Sequence, residues 1–254
     1  MASRGRKIGI ALLVVALILG GIFVIIDRIA VWYAEGRVAE LVADQAAHEG
    51  VRATGDPEVE IGGFPFLTQA LGGELSTVTI RIEHAEVDVY RLNDLWARAT
   101  GVTYEFGELL SGRGPVTATR VRGEVTLPYS PFNEIIYNSF DLASQNITYL
   151  ELSSNNGALQ LRGRGQILGQ ELTVVTRAHL EVNDGVATIQ IDDAQIEDTA
   201  PFEQGQVWLE DLMERLSGEL PLPQLPYGMV VEDIEVTDAG LRVIASAVDV
   251  TLVS

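Results

Sequence analysis

Residues 61–83 read Ile61-Gly-Gly-Phe-Pro-Phe-Leu-Thr-Gln-Ala-Leu-Gly-Gly-Glu-Leu-Ser-Thr-Val-Thr-Ile-Arg-Ile-Glu83. A short strand stops at Gly62-Gly63, and two aromatic rings, Phe64 and Phe66, flank Pro65. After Gly72-Gly73 a period-two run begins, with Val78, Ile80 and Ile82 on one face and Thr77, Thr79, Arg81 and Glu83 on the other. Such alternation marks a half-buried strand. An apolar elbow between two strands is unusual, because connecting segments run over the surface and are polar. Either the elbow is tucked into the core or it lines an apolar binding surface, and the functional question turns on which.

Toward the N-terminus, residues 8–26 are nineteen positions of Ile, Leu, Val, Ala, Gly and Phe without a charge. At 1.5 Å rise per residue they make a helix of about 28 Å, the thickness of a bilayer core. Arg4, Arg6 and Lys7 precede the run, which predicts a cytoplasmic N-terminus and an exported C-terminal domain. A cleaved signal peptide has a shorter apolar region and an Ala-x-Ala-like exit. The sequence therefore predicts an uncleaved, single-pass signal anchor in the cytoplasmic membrane. The chain divides into residues 1–28, a cytoplasmic stub with the anchor, and residues 29–254, the exported domain. Trp32 and Tyr33 follow, where amphipathic rings favour the membrane interface. Residues 29–48 carry Val31, Val38, Leu41, Val42 and Ala46 at helical spacing, and Gly50 is a plausible stop.

The composition limits the partners. The net charge is −19. Arg4, Arg6, Lys7 and Arg28 against Asp27 leave residues 1–28 at +3, so the rest of the chain carries −22. A domain so acidic disfavours nucleic acid and is repelled by bulk anionic bilayer surface. There is no Cys, so the domain holds by packing without disulfides.

Toward the C-terminus strands dominate. Residues 91–112 stay open: Leu92, Leu95, Trp96 and Ala99 fit a short helix and residues 105–110 another turn. Residues 116–127 read as a strand ending at Pro128. Residues 131–137 read as a short helix, with Ser130 as N-cap and Pro131 at the first helical position. Strands follow at 147–152, 158–167, 171–182 and 186–191, joined by Ser153-Ser-Asn-Asn-Gly157, Gly169-Gln170 and Asn183-Asp-Gly185. Asn, Asp and Gly tolerate positive φ, so these are hairpin turns and the strands form an antiparallel meander. Residues 202–216 predict a second amphipathic helix, residues 220–227 an extended Pro-rich stretch, and residues 230–236 and 241–252 two closing strands.

Three pieces occur in order behind the anchor: Gly63-Phe-Pro-Phe-Leu-Thr-Gln69, Leu220-Pro-Leu-Pro-Gln-Leu-Pro226 and Val236-Thr-Asp-Ala-Gly-Leu241. Together they resemble the LmeA-like phospholipid-binding family of actinobacterial cell-envelope proteins, over roughly residues 30–253. The first piece is the most specific. The resemblance implies an exported domain that binds phospholipid and supports envelope maintenance, including lipoglycan maturation in mycobacteria. It also implies an α+β fold in which a long antiparallel sheet curls around a helix, similar to tubular lipid-binding domains. It supplies no catalytic residue. The elbow positions carry over only as part of a lipid-facing or core wall.

The residues themselves allow the same chemistry. If the helix does not fill the concave face of a curled sheet, acyl chains can occupy the remainder. Phe64, Pro65, Phe66, Leu67 and Leu71 would make one wall, and Phe132, Ile135, Ile136 and Tyr137 a second. The alternative is an ordinary core. Arg120 and Arg122 project from one strand face, Arg162 and Arg164 from another, and guanidinium groups suit a phosphate headgroup. The alternative there is a solvated face pairing with Glu124, Glu171 or Glu181 at little gain.

Catalytic readings are thin. The chain lacks a Gly-x-Ser-x-Gly elbow, and His48, His84 and His179 are isolated in sequence. Without Cys or a His pair at i, i+4, no metal and no cofactor is expected. Asp192-Asp193 with Glu197-Asp198 lacks the spaced calcium-loop pattern and reads as a solvated acidic turn. The sequence thus points to phospholipid binding at the outer side of the cytoplasmic membrane. A structural or interaction domain with a filled core is the competitor, and a lipid hydrolase a more distant one.

Overall fold

The computed structural model describes residues 2–48, 51–87, 90–105, 107, 114–167, 170–197, 203–220 and 225–253. Helix α1 (Ala2–His48) runs unbroken from the apolar segment into the domain. It is followed by β1 (Val51–Ala53), β2 (Glu58–Gly62), α2 (Phe66–Gly72), β3 (Glu74–Val87), β4 (Tyr90–Tyr104) and β5 (Val116–Leu127). Then come α3 (Tyr129–Ser139), a 3-10 turn (Leu142–Gln145), β6 (Ile147–Asn155), β7 (Ala158–Ile167), β8 (Gln170–Asn183) and β9 (Val186–Ile196). Helix α4 (Glu203–Leu216), β10 (Gly218–Leu220), a second 3-10 turn (Pro226–Gly228), β11 (Val230–Thr237) and β12 (Gly240–Val253) complete the described elements. Of the stretch expected to be extended, residues 221–224 lie outside the described residues and its end enters that turn.

The fold is α+β, and its strands divide between two antiparallel sheets, neither closed into a barrel. The larger runs β1-β3-β4-β5-β12-β11, with β2 also paired to β3; the smaller runs β10-β9-β8-β7-β6. The chain makes a meander in the first sheet, leaves to build the second, and returns as the β11–β12 hairpin. Two turns of the second sheet follow the sequence chemistry, and the turn expected at Gly169-Gln170 lies largely outside the described residues. Asn156-Gly157 and Asp184-Gly185 have φ of 54°, 78°, 50° and 79°, the paired positive values that match a two-residue turn to strand twist.

Two local readings are corrected. Residues 92–99 are strand, not helix: β4 pairs with β3 on one side and β5 on the other, with a register shift between Asn93 and Trp96. Its backbone groups are thus satisfied by the sheet, which overrides a marginal helical spacing. The turn expected at residues 105–110 lies largely outside the described residues. Helix α3 begins at Tyr129 behind an extended Pro128 (φ −60°, ψ 161°) rather than behind Ser130. The elbow also holds an element not foreseen, α2, which packs on α1 and β3.

Apolar side chains gather in three places among the described residues. Val31, Val59, Ile61 and Phe66 join α1 to β2 and α2. Val102, Ala118, Val121 and Val250 fill the middle of the larger sheet. The largest cluster joins α3, α4, the inner face of the smaller sheet and the ends of β11 and β12.

Candidate functional site

The structure divides the elbow between the two possibilities its sequence left open. Phe66 is buried, packed with Val31, Val59 and Ile61, and Leu67 is partly buried beside it. Phe64 is 61% exposed and Leu71 68% exposed. The Phe64–Pro65 peptide is cis. Gln69 ties the segment to β3: its Oε1 accepts from Ser76 N at 2.8 Å and from Ser76 Oγ at 2.7 Å.

The second expected wall lies elsewhere. Phe132 and Ile136 are buried in the large cluster, with Ile135 and Tyr137 packed against it. Tyr137 donates its hydroxyl to Ile147 O at 2.8 Å, which holds α3 on β6. Elbow and α3 thus belong to separate clusters, and the structure does not bring the two walls together.

A different place combines enclosure with apolar lining. A cavity of about 20 Å³ sits on the inner face of the smaller sheet, lined chiefly by Leu142, Leu150, Leu161, Val174, Leu212 and Leu216. Helix α4 and the 3-10 turn roof it. On the other side of α4 lies an open groove of about 570 Å³, along Thr188, Gln190, Ile191, Met213, Glu214 and Ser217. Helix α4 is the partition between them: Leu212 and Leu216 face the cavity while Met213, Glu214 and Ser217 edge the groove. The cavity admits about one water-sized probe, too little for an acyl chain while α4 is seated.

The cavity exists because β7 changes residue size along its inner face. Leu159 and Leu161 are buried there, and alternation puts Gly163 and Gly165 on the same face. A Cβ on Gly163 would meet only Ile147 Cγ2 at 3.7 Å and Tyr149 O at 3.8 Å. A Cβ on Gly165 would stand 2.2 Å from Asn146 O, so that backbone passes too close for any side chain. The pattern Leu-x-Leu-x-Gly-x-Gly was the available signal, since paired small residues closing an apolar strand face leave room.

The four arginines divide between the sheets. On β5, Arg122 Nη1 lies 3.5 Å from Glu232 and its Nε 3.9 Å from Glu124, while Arg120 is exposed with no ion pair among the described residues. On β7, Arg162 pairs with Glu197 at 2.9 Å. Arg164 makes no ion pair among the described residues, and its guanidinium lies 5.9 Å from the centre of the Tyr149 ring. The cavity lining includes Arg164, but alternation turns its side chain to the opposite sheet face from Gly163 and Gly165.

The other polar candidates among the described side chains are engaged, and the His48 side chain lies outside them. His179 Nδ1 lies 2.8 Å from Asp192 Oδ1 and His84 Nδ1 lies 3.1 Å from Asn93 Oδ1. In the acidic stretch, Asp193 accepts from Gln195 at 2.9 Å and Glu197 holds Arg162; Asp198 lies outside the described residues.

Comparison with curated proteins and with solved structures gives no match. A family profile does match, and it covers the elbow, both sheets and the partition helix. The profile is that of the LmeA-like phospholipid-binding family, it spans residues 25–246, and the chain belongs to that family.

Proposed function

We propose that the protein is held by α1 at the outer side of the cytoplasmic membrane. There it takes a phospholipid acyl chain between α4 and the inner face of the smaller sheet, in support of envelope lipid or lipoglycan maintenance. The observation that carries the reading is the partition helix, with an apolar cavity on one side and an open groove on the other. Displacing α4 joins the two into one channel. Family membership supports phospholipid as the ligand, and the family is described by binding rather than by a reaction.

The energetics permit it. Lifting α4 exposes Leu212 and Leu216, at about 1.5–3 kcal/mol each, and each buried methylene returns about 0.8 kcal/mol. Roughly four to eight methylenes offset the two leucines, and the partly buried Trp208, Leu209 and Met213 on the same helix raise that number. Helix α1 supports the anchor. It is long and apolar enough to cross a membrane, and Leu13 and residues 15–26 are all exposed, unlike a helix that fills a core. Of the four arginines, only Arg164 both lacks a carboxylate partner among the described residues and lies on a cavity-lining strand. Its side chain stands on the sheet face opposite the cavity, so the headgroup contact we assign to it is made past the edge strand β6.

The tight packing under α4 favours one competitor, a filled-core domain that acts by contact. Extracting the purified full chain with organic solvent separates the two. The lipid reading predicts a phospholipid in near-stoichiometric yield, and the filled-core reading predicts none. Arg164→Glu is expected to weaken retention of anionic phospholipid. Unchanged retention removes Arg164 from the site.

A further inference from the structure

The apolar helix and the elbow meet at one buried carboxylate. Asp27 is the first charged residue after the uncharged run 8–26, and it is 0% exposed. Its Oδ1 accepts the Leu67 N–H at 2.8 Å, while Arg28 Nη2 donates to its Oδ2 at 2.7 Å. The Arg28 guanidinium lies 5.5 Å from the centre of the Phe64 ring. Two turns further on, Glu35 Oε1 accepts the Ile61 N–H at 2.9 Å. The helix is therefore joined to the domain by packing and by two backbone clamps, not by a free tether.

That attachment sets a depth. Arg28 stands about 3 Å past residue 26 along the helix axis. The interfacial layer of a bilayer adds roughly 5–8 Å on each side of the hydrocarbon. Phe64, stacked on Arg28, stands at the same level with its ring open to the outside. Ile29 and Trp32 are exposed along the next turn of α1, and Leu71 is exposed on α2. A domain carrying −22 is repelled by an anionic surface, so close approach requires a local apolar contact with a cation beside it.

We propose that the Phe64-Pro65 elbow is a membrane foot, seated in the outer interfacial layer of the same bilayer that α1 spans. Phe64 enters at the glycerol level, Ile29, Trp32 and Leu71 extend the contact, and Arg28 meets lipid phosphate. Asp27 is the positioning residue that holds the foot to the helix. The inference rests on the reading of α1 as a membrane span.

The absence of Cys from the chain makes single-site labelling clean. Phe64→Cys, Leu17→Cys and Asn156→Cys, each in the full chain, are labelled with an environment-sensitive fluorophore. The labelled chains are reconstituted in phosphatidylethanolamine–phosphatidylglycerol vesicles containing lipids that carry a quencher near the glycerol, which reads position 64, or deep in the acyl chain, which reads position 17 at the middle of the span. The expected result is blue-shifted, lipid-quenched emission at positions 17 and 64 and aqueous, unquenched emission at 156. Asp27→Ala added to Phe64→Cys is expected to reduce quenching at 64, while the same change in Leu17→Cys leaves position 17 quenched. Quenching at 17 without quenching at 64 overturns the foot and leaves the anchor standing. A shielded but unquenched probe at 64 assigns the surface to a second copy or another protein and also overturns it. No quenching at 17 overturns the anchor and the foot together.

Discussion

Replacing Asp27 by Ala leaves the part-buried Leu67 N–H without its acceptor. An unpaired buried donor costs about 1–3 kcal/mol. Asp27→Ala is therefore expected to lower the thermal unfolding midpoint, and Asp27→Asn, which keeps a carbonyl acceptor, to lower it less. Equal midpoints for the two variants would contradict the clamp. Gly163 and Gly165 make a second contrast at this scale. Gly163→Ala adds a methyl at ordinary contact distance, whereas Gly165→Ala drives one into Asn146 O. Overpacking of that kind costs about 1–3 kcal/mol, so urea unfolding should separate the pair. The elbow shows why residue identity alone did not decide burial. Phe64 and Phe66 are the same residue two positions apart, and only the start of α2 between them sends one inward.

Among elements, α4 carries the functional account. Leu216 is 4% exposed, so Leu216→Ala removes roof volume at about 2–5 kcal/mol in stability. The same change enlarges the apolar space, so lipid retention is expected to hold or rise while the unfolding midpoint falls. Loss of both would make α4 a structural prop only. Helix α3 is tied differently: the Tyr129 hydroxyl donates to Thr237 O at 2.6 Å, joining the helix start to the end of β11. Burial, reinforced by the Asp238 carboxylate, raises the Tyr129 phenol above its ordinary 10.0. The unfolded chain releases that proton first, so the contribution is whole below pH 10 and is lost as pH rises through the folded value. Burial raises Tyr104 in the same direction. Tyr129→Phe should lower stability at neutral pH by about 1 kcal/mol and lessen its fall above pH 10, read from urea titrations at both. Element type was legible where pattern and turn agreed, as in β6 to β9 with their Asn-Gly and Asp-Gly turns. It was not legible at residues 92–99, where pairing on both edges decides the matter and helical spacing is incidental.

At the scale of the molecule, the family resemblance implied the α+β class, and hydrophobic periodicity predicted helix both over residues 8–26 and over residues 29–48. The split into two sheets was not legible, because nothing local tells a strand which neighbour it will pair with across a hundred residues. The Phe-Pro-Phe elbow drew notice as an apolar run, whereas the enclosed apolar space lies where Leu142, Leu161 and Leu212 converge from three separate elements. The central claim is that a phospholipid tail occupies that space when α4 gives way. Native mass spectrometry of the purified full chain beside Gly163→Ala tests it most directly, since a methyl there meets only ordinary contacts and takes up room in a cavity that admits about one water-sized probe. The account predicts a protein-plus-phospholipid mass for the native chain and a folded, lipid-free mass for the variant. A bare native chain, or a variant that carries as much lipid as the native protein, would contradict it.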